Sequence, residues 1–491
     1  MTLSRPEHVD SGSVRHFPKW PDDAMSDSDS HLTSSPPPVS SGNGSPPKTV
    51  RELSEAESGE AAFRQFWADA QKPNWADKSV ASQRRLDWWR DAKFGMFVHW
   101  DPSSLAASEI SWSKQFYDDT GEQLRDNPRP SPDLYDVREH RFWLEWFKPA
   151  VPREVYDNLH KSFYPGMFDA DKFVATAKQA GMKYLIQVTK HHNGFCMWDT
   201  AFTDHNVMNT PFRRDILGEM ARACERAGIK FGIYYSQRDW HHPDYGPERM
   251  AKYNAYMYDQ IQELLVKLPS ISAIFFDTET YYPWQMWDGE NLFRMIHRLR
   301  PDIIINDRCG VPSDFATPEE TIGAYNLERD WESCMTFTSF WSWHGFQTPV
   351  IPYEECLWRL IRCAGGNGNL LMNVGPLPTG QIDPREVDRL TCVGAWLAAN
   401  GESIYGTRAG PFPPGDYGVS THRGDTIYVH VLHWPEGDVS LPPLPGRVKS
   451  ARVMSGGKAI VQQTNEGLRV SVAPADRTEP DTIVVLELVS Q

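Results

Sequence analysis

The amino-acid sequence predicts a TIM-like (β/α) barrel followed by a small C-terminal antiparallel β-sandwich. Between about residues 84 and 410, short apolar runs alternate with amphipathic segments that end at glycine, the pattern of parallel strands separated by helices. After about residue 411 the period shortens to alternating runs broken by Gly, Pro and Asp. No Gly-x-Gly-x-x-Gly follows a strand, which counts against a doubly wound dinucleotide-binding sheet.

The elements follow in order. Residues 1–55 contain Ser34-Ser-Pro-Pro-Pro-Val-Ser-Ser-Gly-Asn-Gly-Ser-Pro-Pro47 and few large apolar groups, so they are expected to stay disordered. Phe94-Gly-Met-Phe-Val-His-Trp100 reads as the first strand of a barrel domain assigned to 56–410. Phe173, Val174, Ala177 and Ala180 share one helical face that ends at Gly181, and Tyr184-Leu-Ile-Gln-Val188 follows as a strand. The unit recurs in Asp215 to Ala227, Gly228 and Phe231-Gly-Ile-Tyr-Tyr-Ser236. It recurs again before Ile271–Phe276, Ile303–Ile305 and Asn369–Val374. The domain at 411–491 carries the alternating runs 426–432, 450–454, 467–472 and 482–488.

A chain of 491 residues has room for two folded units and a tail. Its net charge of −15 offers no footprint for nucleic acid or an anionic membrane, and no run is long enough for a transmembrane helix. Neutral substrates fit best. The start, Met1-Thr-Leu-Ser-Arg-Pro-Glu-His, lacks the apolar stretch of a secretory signal, so the expected location is cytoplasmic unless a mis-set start codon hides a leader. Seven cysteines without a CxxC pair suggest free, buried thiols. Homo-oligomerisation stays open.

Five strand ends are polar: His99, Lys190-His191-His192, Tyr235-Ser236, Asp277 and Asn306-Asp307-Arg308. An Asp ending an apolar strand, as in Ser272-Ala-Ile-Phe-Phe-Asp277, could by itself be a helix cap or a turn residue. Five polar ends that converge on one barrel face read instead as a site. A metal centre is disfavoured, because His191 and His192 would point to opposite faces unless the strand has already ended, and HxH and HExxH are absent. No GxSxG elbow marks a serine nucleophile. Tryptophans crowd the loops after the strands, and indole faces suit sugar rings. Trp88 and Trp89 read as core, whereas Trp341 and Trp343, flanked by Ser and His, read as substrate contacts.

Several segments carry a resemblance: Ala92-Lys-Phe-Gly-Met-Phe-Val-His-Trp100, Thr189-Lys-His-His-Asn-Gly-Phe-Cys-Met-Trp198, Thr210-Pro-Phe-Arg-Arg-Asp215, Ile233-Tyr-Tyr-Ser236, Ile305-Asn-Asp-Arg308, Gly368-Asn-Leu-Leu-Met-Asn-Val-Gly-Pro376 and Asn400-Gly-Glu-Ser-Ile-Tyr-Gly-Thr407. As a set, ordered over about residues 84–410, they resemble the α-L-fucosidases of glycoside hydrolase family 29. The resemblance implies retaining hydrolysis of α-L-fucosides, fucosylated glycans or glycosides as partners, and no metal or organic cofactor. It implies Asp277 as nucleophile, His99, His191 and His192 as sugar-hydroxyl ligands, and Tyr235 and Arg308 as further site residues. The implied acid/base is Glu319, in Asp314-Phe-Ala-Thr-Pro-Glu-Glu320, with Glu332 as its rival and Glu109 as a further sugar contact. Three positions depart from the family pattern: Asp101 for Gly, Asn193 for Asp and Thr278 for Gly. The competing readings are a retaining hydrolase of a galacto-configured sugar and a sugar-binding protein with a decayed site.

Overall fold

A computed structural model describes residues 79–114, 151–277 and 284–489. The expected tail at 1–55, the start of the barrel assignment at 56–78 and Thr278 lie outside the described residues. Seven parallel strands form one curled sheet: β1 Phe94–Val98, β2 Tyr184–Lys190, β3 Lys230–Tyr235, β4 Ile271–Phe276, β5 Ile304–Ile305, β6 Glu332–Thr336 and β7 Asn369–Val374. Their order is β5-β4-β3-β2-β1-β7-β6. Between the outer strands runs Phe315 to Glu319, joined by parallel bridges from Asn306 to Phe315, Ala316 to Trp331 and Glu319 to Cys334. This irregular stretch, interrupted by Pro318 and so unable to offer a continuous row of donors, stands where an eighth strand closes a TIM-like barrel.

The helices start and stop where the sequence chemistry directs. The helix Ala170–Gln179 is capped by the Asp169 carboxylate on the Lys172 amide, and Ile216–Ala227 by Asp215 on Gly218. The second ends at Gly228 in the left-handed region, φ 71°, where a Cβ would strain the backbone.

Alternation along the strands sorts two apolar layers. Phe97, Tyr184, Ile186, Tyr234, Ala273, Phe275 and Leu371 fill the barrel interior, while their neighbours in sequence pack outward under the helices. Gly95 belongs to the inner layer, and a Cβ there would overlap the Tyr184 ring. By the same alternation His99, Asp277 and Asn373 continue the inward rows of Phe97, Phe275 and Leu371 to the carboxyl rim. One strand breaks the pattern: the β2–β3 ladder shifts between Val188 and Lys190, and this bulge turns Lys190 outward onto Asp239 and Tyr253.

From Arg408 to Leu488 the strands are antiparallel, in a five-stranded and a three-stranded sheet that enclose Val429, Val470, Val484 and Leu486. This sandwich packs on the barrel. The Trp358 indole N–H donates to the Pro480 carbonyl at 2.9 Å, and Tyr325 Oη donates to the Gly410 carbonyl at 3.0 Å. Among the described residues no helix is long and apolar enough to cross a membrane.

Candidate active site

Strand β4 ends by carrying Asp277 into the mouth of the barrel. Tyr234 Oη donates to its Oδ2 at 2.5 Å and Arg308 Nη1 to its Oδ1 at 3.0 Å, while His192 Nε2 lies 3.8 Å from Oδ2. Burial raises the carboxyl's proton affinity, but the charge of Arg308, the hydrogen bond from the Tyr234 hydroxyl and the charge of Arg238 outweigh it. The group is held below its ordinary pKa.

Arg308 does more than pair with Asp277. Its Nε donates to Thr317 Oγ1 at 2.9 Å and its Nη2 to the Thr317 carbonyl at 3.0 Å, which fixes the guanidinium plane. The same Nη2 meets Glu319 Oε2 at 2.7 Å. One fork therefore holds two carboxylates, Asp277 at 17 % side-chain exposure and Glu319 at 35 %. Glu319 arrives there on the irregular stretch that closes the barrel. Glu332, by contrast, opens β6 at the opposite, amino-terminal end, where it accepts from the Trp89 indole at 3.0 Å and from the Tyr184 hydroxyl. Burial pushes it up to about 7, and it has no path to Asp277.

The three histidines surround the carboxylate. Strand β2 has ended at Lys190, so His191 and His192 do not take opposite faces as expected for a strand; their rings lie 4.0 Å apart on one side. Asn373 settles the tautomer of His99. Its Nδ2 donates to the Trp341 carbonyl, so its Oδ1 must accept from His99 Nδ1 at 2.7 Å, leaving Nε2 as an acceptor. His192 Nδ1 meets Ser236 Oγ at 2.6 Å, and the same hydroxyl lies 3.1 Å from the Arg238 carbonyl. His191 Nδ1 meets Ser111 Oγ at 2.6 Å. Burial pushes His99 down to about 4 and the other two well below their ordinary value. All three rings are neutral, and His99 presents Nε2 as a hydrogen-bond acceptor.

Ligating atoms of His191, His192 and Asp277 lie within 4.8 Å of one another, a spacing a divalent ion could bridge. The fit is poor: Arg308 and Tyr234 already occupy the two oxygens of Asp277, and Arg238 adds positive charge.

Three expected sugar contacts are corrected. Tyr235 points outward, its hydroxyl on Gln260 Oε1 at 2.7 Å; alternation in β3 gives the inward place to Tyr234. Glu109 is buried under the loop after β6, accepting from the backbone amides of Trp341 at 3.0 Å and Ser342 at 3.2 Å, with burial pushing it up to about 8. It is a loop anchor. Trp343 turns to Phe346 at 5.4 Å, and Trp341 supplies the indole beside His99 at 4.8 Å. Trp112 and Trp240 flank His192 at 5.3 and 5.2 Å, whereas Trp100, Trp198 and Trp287 are core. The sequence reading also missed Gln237, Arg238 and Asn373. Counting inward and outward positions along β3 and β7 would have found Tyr234 and Asn373.

Two of the departures prove to be one. Asn193 Nδ2 donates to Asp101 Oδ2 at 2.5 Å in a buried site, so an Asp at 193 would oppose a second carboxylate. Asn193→Asp is expected to cost about 2–3 kcal/mol through like-charge burial, and the swap Asp101→Asn with Asn193→Asp to recover most of it. A thermal-melt double-mutant cycle measures this; additive losses would mean the pair is not coupled.

Comparison with known proteins finds the same family by three routes. The α-L-fucosidase family model matches residues 61–402. The tissue α-L-fucosidase of Homo sapiens is 27 % identical over 390 residues, which are 75 % of this chain and 79 % of that protein. The solved structure of α-L-fucosidase isoenzyme 1 from Paenibacillus thiaminolyticus is 30 % identical with a TM-score of 0.70, covering 84 % of this chain and 100 % of that one. The α-fucosidase of Thermotoga maritima, solved with a mechanism-based inhibitor, is 25 % identical with a TM-score of 0.65, covering 85 % and 99 %.

Proposed function

This chain belongs to the α-L-fucosidase family, and on that premise we propose that it is a glycoside hydrolase that cleaves α-L-fucosides with retention, Asp277 attacking the anomeric carbon and Glu319 serving as acid and then base. The observation that carries this reading is the Arg308 fork, which brings one guarded and one more open carboxylate to the same guanidinium. Retaining glycosidases need such a pair about 5 Å apart.

The division of labour follows from position: Asp277 is fixed through both oxygens, whereas the more open Glu319 is the group that, when protonated, can exchange its Arg308 contact for the glycosidic oxygen. Asp277, ionised and anchored by Tyr234 and Arg308, attacks the anomeric carbon while the Glu319 proton moves to the departing oxygen, giving a fucosyl ester and a free aglycone. Glu319, now a carboxylate, takes a proton from water, which attacks the same carbon and releases fucose and Asp277. Nε2 of His99 accepts from a sugar hydroxyl, His191 and His192 stand beside it as further hydroxyl partners, and Trp112, Trp240 and Trp341 offer apolar walls. Fucosylated glycans or glycosides are the substrates this reading implies.

Release of 4-nitrophenol from its α-L-fucoside by the purified protein tests the reading. Faster turnover of the β-D-galactoside would favour the galacto-configured alternative, and binding of fucose without turnover of either would favour a decayed site. The nucleophile's lowered pKa also sets a pH expectation. A carboxylate held below its ordinary value stays charged until pH falls through that lower value, so the acid limb of kcat/KM is expected below about pH 4. An acid limb above pH 5 would contradict it.

A further inference from the structure

We propose that Gln237 is a positioning residue that holds the Asp277 strand end in register with the Arg308 strand end. The β4–β5 ladder is short, pairing Ala273 with Ile304 and Ile274 with Ile305. Beyond it two buried carboxamides join the strand ends. Asn306 is the first, accepting from the Phe276 amide at 2.7 Å and donating to the Phe276 carbonyl at 2.9 Å. Gln237 is the second, one step nearer the chemistry. Its Oε1 accepts from the Asp277 amide at 3.0 Å and its Nε2 donates to the Arg308 carbonyl at 3.1 Å. A single planar amide thus spans the two backbones whose side chains meet at 3.0 Å.

The carboxamide is itself immobile. Gln237 is completely buried, and its own carbonyl accepts from Tyr253 Oη at 2.7 Å. The segment it belongs to serves the site at two other positions, with Tyr234 on the Asp277 carboxylate and Ser236 on His192. Glutamine suits the task because it offers one donor and one acceptor without charge. A glutamate would lose the donor toward Arg308 and add a negative charge beside the nucleophile, and a leucine would lose both bonds. The consequence is specific: without this brace Arg308 and Asp277 drift apart, and the charge that keeps the nucleophile ionised weakens.

This inference rests on Asp277 being the nucleophile. The test measures kcat, KM and the pH dependence of kcat/KM for Gln237→Leu on 4-nitrophenyl α-L-fucoside, with a thermal melt and with Asp277→Ala alongside. The expected result is a loss in kcat of about 10- to 100-fold, KM within about 3-fold, and an acid limb moved up by about one pH unit. A core-packing role would lower the melting point and leave the acid limb in place. Gln237→Met, which fills the same length flexibly, is the second variant and is expected to behave alike. A wild-type acid limb and kcat in either folded variant overturns the proposal, as does loss of cooperative melting in both, which would make Gln237 a folding residue. Turnover retained in Asp277→Ala would instead overturn the assignment of the nucleophile.

Discussion

Asp277→Gly is expected to reduce turnover of aryl α-L-fucosides on the order of 10⁴-fold or more while the barrel stays folded. Asp277 is 17 % exposed at a strand end, and the core layers below it are closed by Phe275 and Phe97. Removing its carboxylate leaves Arg308 paired with Glu319 and the Tyr234 hydroxyl near the new space, so no buried charge is stranded. The loss should therefore fall on kcat. Azide, small enough for the vacated volume, is expected to attack the anomeric carbon from the nucleophile's side and to restore part of the rate. Its product would be the β-fucosyl azide, inverted because one displacement has replaced two. Full residual activity without azide would remove Asp277 from the mechanism.

Glu319→Ala is expected to produce a loss that depends on the leaving group. Substrates whose aglycone departs poorly need a proton on the glycosidic oxygen and should slow by about 10²- to 10⁴-fold, while 4-nitrophenyl or 2,4-dinitrophenyl fucosides should be much less affected in the first step. The basic limb of the pH profile should flatten, because the proton whose loss defines it is gone. Glu332→Ala should act differently. Glu332 holds Trp89 and Tyr184 at the amino-terminal end of the barrel, so truncation leaves those donors unpaired in a buried site and should lower stability with no dependence on the aglycone. The reverse pattern would transfer the acid/base role to Glu332.

The sequence was most informative where one period governs the chain. Apolar runs ending in polar residues located β1 to β4 and the carboxyl rim, and the glycine at 228 marked a helix end. It was least informative where a local irregularity re-aims side chains. Tyr234 and Tyr235 are adjacent and alike, and only the inward register of β3 separates the residue that binds Asp277 from the one that binds Gln260. The bulge at the end of β2 likewise decides that Lys190 faces outward while both following histidines face the site. Composition gives no sign of such a shift. Glu109 and Gln237 were illegible for another reason: each acts by binding main-chain atoms far away in sequence, at Trp341 and Ser342 or at Asp277 and Arg308, and those partners exist only in the folded barrel.

The central claim is that hydrolysis passes through a fucosyl ester on Asp277. Incubation with 2-deoxy-2-fluoro-fucosyl fluoride slows breakdown of such an ester enough to trap it, and mass spectrometry of proteolytic peptides locates the added sugar. The account predicts a fluorofucosyl adduct on the peptide that contains Asp277, with fragmentation placing it on that side chain and loss of activity tracking its formation. Turnover of α-L-fucosides with no adduct, or an adduct on another carboxylate such as Glu319, would contradict it.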